Sequence, residues 1–284
     1  MTRYSRRSFL GTTAAAAVGL ACRGRPLAAH GSASGSTLSR IGNQLYTVRR
    51  QASADLAGTL AQLAKIGYKE VEFAGYYNHP ASEVRALLDQ NGLTAPSAHI
   101  GLNLIESSAD KTFADAKVVG HQWITVPSLP SGKRETADDW KRLAAQFNAA
   151  ATKANAAGFR FAFHNHNDIV RKTGDVLPVD ILMKETDPAL VSYEMDIYWV
   201  VNGGADPLDL LARYPGRFKL FHVKDAMPGA DHKMADVGAG SIDFKSIFAR
   251  ARGGIEHYFV ERDDAADPLA SAAASFGYLS KLEF

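Results

Sequence analysis

From Ile41 to Leu279 the chain alternates a short apolar, β-rich run with a stretch of helical periodicity, eight times over. The pattern predicts strands over Ile41–Tyr46, Tyr68–Phe73, Thr94–Ile100, Trp123–Val126, Phe159–His164, Leu190–Met195, Phe218–Val223 and Tyr258–Glu261. Helices are predicted over Asp55–Ile66, Ser82–Gln90, Asp110–Val119, Ala137–Ala157, Val176–Glu185, Pro207–Arg213 and Phe244–Arg252, with a last one from Pro268. Gly67, Gly92, Gly120, Gly158 and Gly216 follow helical stretches, where a left-handed cap is useful. Eight strand–helix units within roughly 250 residues are what a (β/α)8 TIM barrel needs. A doubly wound open sheet is the competing α/β architecture, but no G-x-G-x-x-G string follows the first strand.

The N-terminus reads as a separate object. Ser5-Arg6-Arg7-Ser8-Phe9-Leu10 opens an apolar stretch to Ala21 that is too short to span a bilayer stably, and small residues near Ala28 offer cleavage sites. The expectation is a twin-arginine export signal over 1–31, a short linker over 32–40 and a barrel over 41–284, placing the mature protein in the periplasm or outside the cell with no stable membrane span. Cys22 raises lipidation as a variant. The signal holds five arginines and no acid, so a formal charge of +2 for the whole chain becomes −3 for the remainder. The basic character therefore belongs to the signal, and nucleic acid is excluded as a partner. The single cysteine lies there too, so the barrel has neither a disulfide nor a thiolate ligand.

The chemistry sits where the strands end. Phe159-Arg-Phe-Ala-Phe-His164, Val191-Ser-Tyr-Glu-Met-Asp196, Phe218-Lys-Leu-Phe-His222 and Tyr258-Phe-Val-Glu261 each close an apolar run on a metal-binding side chain. Carboxyl ends of barrel strands converge on one face. His164, Asp196, His222 and Glu261 are thus expected to share a divalent metal, with Mn, Zn, Co or Fe suited better than Mg to two imidazoles. A lone strand-end histidine is more often a hydrogen-bonded residue than a ligand, but four such groups on consecutive strands would leave charge and lone pairs uncompensated without a cation. His166, two residues after His164, shares its face, and so does Lys224 after His222. Lys224 is expected to hold a substrate oxyanion with Asp225 orienting it; a surface ion pair is the alternative. Glu72 fits a general base or a supporting carboxylate. Gln44, Tyr46, His99 and Trp199 are expected to bind substrate, Trp199 by stacking on a sugar ring or, alternatively, as rim packing beside Tyr198. His121 and His257 precede strands and read as structural, and His79 and His232 fall in loops after strands.

Taken together, Ile41-Gly-Asn-Gln-Leu-Tyr-Thr-Val-Arg49, Gly67-Tyr-Lys-Glu-Val-Glu72, Ser97-Ala-His99, His164-Asn-His166, Asp196-Ile-Tyr-Trp199, His222-Val-Lys-Asp225 and Val260-Glu261 resemble the xylose-isomerase-like TIM-barrel superfamily, the sugar phosphate isomerase/epimerase group related to inosose dehydratase. The resemblance implies a metal held by His164, Asp196, His222 and Glu261, with Glu72, His99, His166 and Lys224 facing substrate. Two departures stand out. Relatives with the His-Asn-His string carry a glutamate three residues later, where this chain has Ile169, and their Gly-Glu-Gly loop is here Gly238-Ala239-Gly240.

The expected activity is metal-dependent proton abstraction beside a carbonyl of a sugar or cyclic polyol, with catalytic Glu72, His166 and Lys224. The outcome is isomerisation or epimerisation. A lyase or dehydratase acting on a keto sugar, such as a 3-keto glycoside or an inosose, is the alternative, and the two missing carboxylates favour it. A non-catalytic sugar-binding barrel and an endonuclease-type phosphodiesterase are the remaining rivals, the latter opposed by the acidic charge. The partner is a small carbohydrate, and homo-oligomer formation is left open.

Overall fold

The computed structural model describes residues 35–284 apart from 131, 133 and 230. The expected signal over 1–31 and the first residues of the expected linker lie outside the described residues. Eight parallel strands close into a barrel: β1 (Gly42–Gln44), β2 (Glu70–Phe73), β3 (Thr94–His99), β4 (Trp123–Val126), β5 (Arg160–His164), β6 (Val191–Asp196), β7 (Phe218–Val223) and β8 (His257–Val260), with β8 pairing both β7 and β1. The helices between them are α1 (Arg49–Ala54), α2 (Leu56–Ile66), α3 (Ala81–Gln90), α4 (Leu102–Ser107), α5 (Ala109–Val119), α6 (Ala137–Ala156), α7 (Pro178–Glu185), α8 (Ile197–Asn202), α9 (Pro207–Arg213), α10 (Phe244–Ala251) and α11 (Pro268–Leu279). The (β/α)8 expectation holds.

Strand alternation sorts side chains to two sides of the wall. On β5, Phe161 and Phe163 point outward to the helices, and Ala162 and His164 point inward. The outward set belongs to one continuous apolar layer beneath the helices, in which each fully buried large side chain contributes about 1.5–3 kcal/mol. Inside, Trp123, Ala162, Leu220 and Phe259 form a small apolar plug toward the amino ends of the strands. The plug requires Gly42, since a Cβ there would lie 2.4 Å from the Phe259 ring. Above it β1 to β7 turn polar, with Gln44, Glu72, Ser97, Thr125, His164, Glu194 and His222 all buried. The plug thus floors a polar chamber that opens at the carboxyl ends of the strands.

Three short helices were not anticipated: α1, α4 and α8. Helix α8 follows Asp196 with no loop, because Asp196 Oδ1 accepts the backbone N–H of Trp199 and caps it. Its β-branched and aromatic content, Ile197-Tyr198-Trp199-Val200-Val201, masks it in the sequence. Strand boundaries also moved. β6 runs one residue further, to Asp196, and β8 stops at Val260, leaving Glu261 as the first residue beyond it. His121 and His257 are structural as expected: His121 bonds the Ala95 carbonyl (2.6 Å) and the Tyr76 hydroxyl (3.0 Å), and His257 bonds Glu70 (2.8 Å).

Candidate functional site

His164, Asp196, His222 and Glu261 meet at the top of the chamber, each offering a ligand atom within 4.8 Å of the others, and all four are buried. Register explains the meeting, since Asp196 lies directly opposite His222 across β6 and β7. Each ligand is held by a second contact. His164 Nδ1 donates to the Pro127 carbonyl (3.1 Å), which leaves Nε2 toward Asp196 Oδ2 (3.3 Å). Burial and the charge of His222 lower His164 to about 4, so its ring is neutral near pH 7. A carbonyl can only accept, so the neutral ring presents a lone pair, not a proton, to a carboxylate oxygen. Two facing lone pairs are stable when a cation lies between them, and this contact fits the quartet to a divalent ion.

The other cationic group at the quartet is Lys224. The alternative of a surface pair fails, because Lys224 is 2% exposed. Its Nζ donates to Glu261 (2.7 Å), Asp196 (3.1 Å) and Asp263 (3.1 Å), and it lies 5.7 Å from the Trp199 ring centre. Burial alone would raise the carboxyls; Lys224 overrides it, together with His164 for Asp196 (to about 2) and with His222 for Glu261 (well below the usual range). Asp263, unassigned from the sequence, is pushed up to about 6 by burial and the Glu261 charge, and its buried Oδ1 has no partner.

The expected orienting role of Asp225 is corrected. Its carboxylate instead accepts the backbone N–H groups of Ala226, Gly238, Gly240 and Ile242, folding the loop after β7 around itself. A Cβ at Gly240 would lie 2.3 Å from Asp225 Oδ1, so the Gly238-Ala239-Gly240 string serves this wrap. Ile169 is buried in a 3-10 turn, Asn167–Ile169.

Below the quartet lies a second group that the sequence reading did not assemble: Glu72, His99, Glu194 and His222. His222 Nε2 approaches Glu72 Oε2 (2.6 Å) and Glu194 Oε2 (3.1 Å); His99 Nε2 approaches the same two atoms at 3.2 and 3.0 Å. Glu72 also accepts from Gln44 Nε2 (2.6 Å) and Ser97 Oγ (2.5 Å). Burial would raise Glu72, but His99 and His222 bring it to about 2. Glu194, by contrast, is raised well above the usual range by burial and by the Glu72 charge. Glu194 was legible in principle: it precedes Asp196 by two residues on one strand and so shares its face. Burial would lower His222, yet Glu194, Glu261 and Glu72 hold it well above its ordinary value.

The residues expected at the substrate separate by depth. Gln44 and Glu72 are fully buried and bonded to each other, while Tyr46 stands 43% exposed on the rim with the Arg49 guanidinium 4.1 Å over its ring. His166 and Trp199 line the mouth side by side, ring centres 5.3 Å apart, and the Trp199 indole N–H has no partner. Burial and the neighbouring His164 lower His166 to about 4. A hollow of 320 Å³, the lower end of small-molecule pocket size, lies between Thr47, Arg49, Arg50 and Asp263. No helix among the described residues is long and apolar enough to cross a membrane.

Residues 60–274 match the family model described as a xylose isomerase-like TIM barrel. The chain is 28% identical over 260 residues to an inosose dehydratase of Lacticaseibacillus casei, covering 77% of this chain and 86% of that protein. It is 27% identical over 229 residues to the inosose dehydratase of Geobacillus kaustophilus, covering 67% and 74%. A solved sugar phosphate isomerase/epimerase of Parabacteroides distasonis superposes with a TM-score of 0.74 at 27% identity, covering 88% of this chain and 95% of that one. A polar chamber at the carboxyl ends of a closed parallel barrel, two carboxylates and two imidazoles converging in it, and a family match over most of the chain lead to one conclusion: this chain belongs to the xylose isomerase-like TIM-barrel family.

Proposed function

We propose that this enzyme removes the proton beside a carbonyl of a sugar or cyclic polyol, in a site where His164, Asp196, His222 and Glu261 hold one divalent ion. The observation that carries the reading is the neutral His164 lone pair facing the Asp196 carboxylate at 3.3 Å. Two imidazoles in the set favour Mn, Zn, Co or Fe over Mg. Such an ion supplies Lewis-acid polarisation of a carbonyl, worth several kcal/mol. The remaining work falls to the chain. Trp199, half-buried beside His166 at the mouth, offers its face to the sugar ring. The Lys224 ammonium lies at the quartet, where its charge would stabilise the oxyanion as it develops. Of the two bases expected from the sequence, Glu72 lies sealed beneath His222, so the proton passes to a ring nitrogen of His166, which burial keeps neutral and ready to accept it.

Isomerisation or epimerisation needs the proton returned at another position or from another face. Elimination is the second reading, favoured by Ile169 and Gly238-Ala239-Gly240 standing where relatives carry carboxylates. It would make the protein a lyase or dehydratase for a keto sugar, with an inosose or a 3-keto glycoside as the substrate class. We further propose export by the twin-arginine route, on the strength of Arg6-Arg7 ahead of Phe9-Leu10. The metal reading is tested by elemental analysis of Asp196→Ala and Glu261→Ala. Each loses the ion while its circular dichroism stays that of the parent; full occupancy in both refutes it.

A further inference from the structure

The deeper group holds more charge than support for one metal ligand requires. One carboxylate beneath His222 would fix its ring, and Glu72 at 2.6 Å does so. Glu194 is then surplus, fully buried, with Oε2 shared between His99 and His222 and Oε1 without any partner. Without a cation, a proton on Oε2 lets Glu194 donate to Glu72 or His99 and still leaves Oε1 unpaired. A proton on Oε1 has no acceptor. Either state leaves a buried polar atom unsatisfied.

We propose that Glu72, His99, Glu194 and His222 bind a second divalent cation beneath the first, with both oxygens of Glu194 as ligands. Four donor atoms converge there, two imidazole Nε2 and two carboxylate oxygens, with N–O separations of 2.6, 3.0, 3.1 and 3.2 Å. With Glu194 Oε1 as a fifth donor, an ion with ligands at about 2.1 Å spaces neighbouring donors about 3 Å apart, close to these separations. His222 faces both groups, Nδ1 toward Glu261 (2.8 Å) and Nε2 toward Glu72 (2.6 Å), so its ring would offer one nitrogen to each ion. The bridge rests on the upper quartet proposed above; the deeper site does not.

The full-length protein is stripped with chelator, reloaded with Mn²⁺ as the sole metal, desalted, and examined by elemental analysis and electron paramagnetic resonance. The parent should hold about two ions per chain with the spectrum of an exchange-coupled pair, and Glu194→Gln and Asp196→Ala about one each with the spectrum of an isolated ion. Should Glu194→Gln fail to fold, His99→Asn makes the same comparison. A parent with a single ion, unchanged in Glu194→Gln or His99→Asn, overturns the proposal and leaves the deeper group holding protons only. If Asp196→Ala keeps every ion while Glu194→Gln keeps none, the deeper site stands and the upper one fails.

Discussion

Replacing Lys224 with methionine isolates the charge at the centre of the site. Methionine nearly matches the lysine stem, so the packing change is small. The electrostatic change is large. Lys224 Nζ lies 2.7 Å from Glu261 and 3.1 Å from Asp196, both buried, and 3.1 Å from Asp263, whose side chain is 25% exposed and so counts for less. Removing one member of a buried ion pair costs about 3–5 kcal/mol, because the partner charge stays behind. For a domain of this size that lowers the melting temperature by about 10 °C. The loss should appear in chelator-treated protein. In saturating Mn²⁺ the ion neutralises the same carboxylates, and the difference should shrink to about 1 kcal/mol or less. Urea unfolding of parent and variant under both conditions reads both numbers. Equal stability in chelator would refute the buried-charge argument. A deficit of equal size with and without Mn²⁺ would show that lysine and ion do not share those carboxylates.

Stability should also depend on pH through His121, which is not among the proposed metal ligands. Burial lowers it from 6.5 to about 4, so the unfolded chain binds more protons between those values. Its contribution is complete above about pH 6.5 and lost as pH falls toward 4, a change of about 3 kcal/mol that should be missing from the acid limb of His121→Gln. Unfolding free energies of both proteins across that window check this, and parallel acid limbs would contradict it. Export predicts that the joint change of Arg6 and Arg7 to lysine leaves precursor in the cytoplasm. Fractionation and immunoblotting read the outcome, and an unchanged periplasmic yield contradicts the route.

The barrel was legible because its signal is periodic and repeated. Strands such as Trp123–Val126 and Phe218–Val223 lie where the apolar runs place them, and the upper quartet follows from the rule that strand ends converge. Depth was not legible. Glu72 and His166 both read as strand-end polar residues, yet one is sealed in the chamber and the other stands at its mouth. That difference arises from where each strand ends relative to its neighbours, and β2 carries a register shift between Glu70 and Glu72 against β3. Asp225 misled for a related reason. Adjacency to Lys224 suggested a partner, but successive residues of an extended chain face opposite ways, and its carboxylate turned to the glycine loop. Helix α8 was hidden by residues that favour strands, its start set by a carboxylate whose other oxygen serves the site.

The central claim is proton abstraction beside a carbonyl, and isotope exchange tests it most directly. Inososes and 3-keto glycosides are incubated with the metal-loaded enzyme in heavy water, and the carbon beside the carbonyl is followed by nuclear magnetic resonance and mass. Deuterium should enter at that carbon, or water be lost if elimination follows. His166→Asn should slow both by about 10²–10⁴ with metal content unchanged, while Glu72→Gln is read separately through its ion count. Exchange and turnover in His166→Asn at the parent's rate would contradict the account.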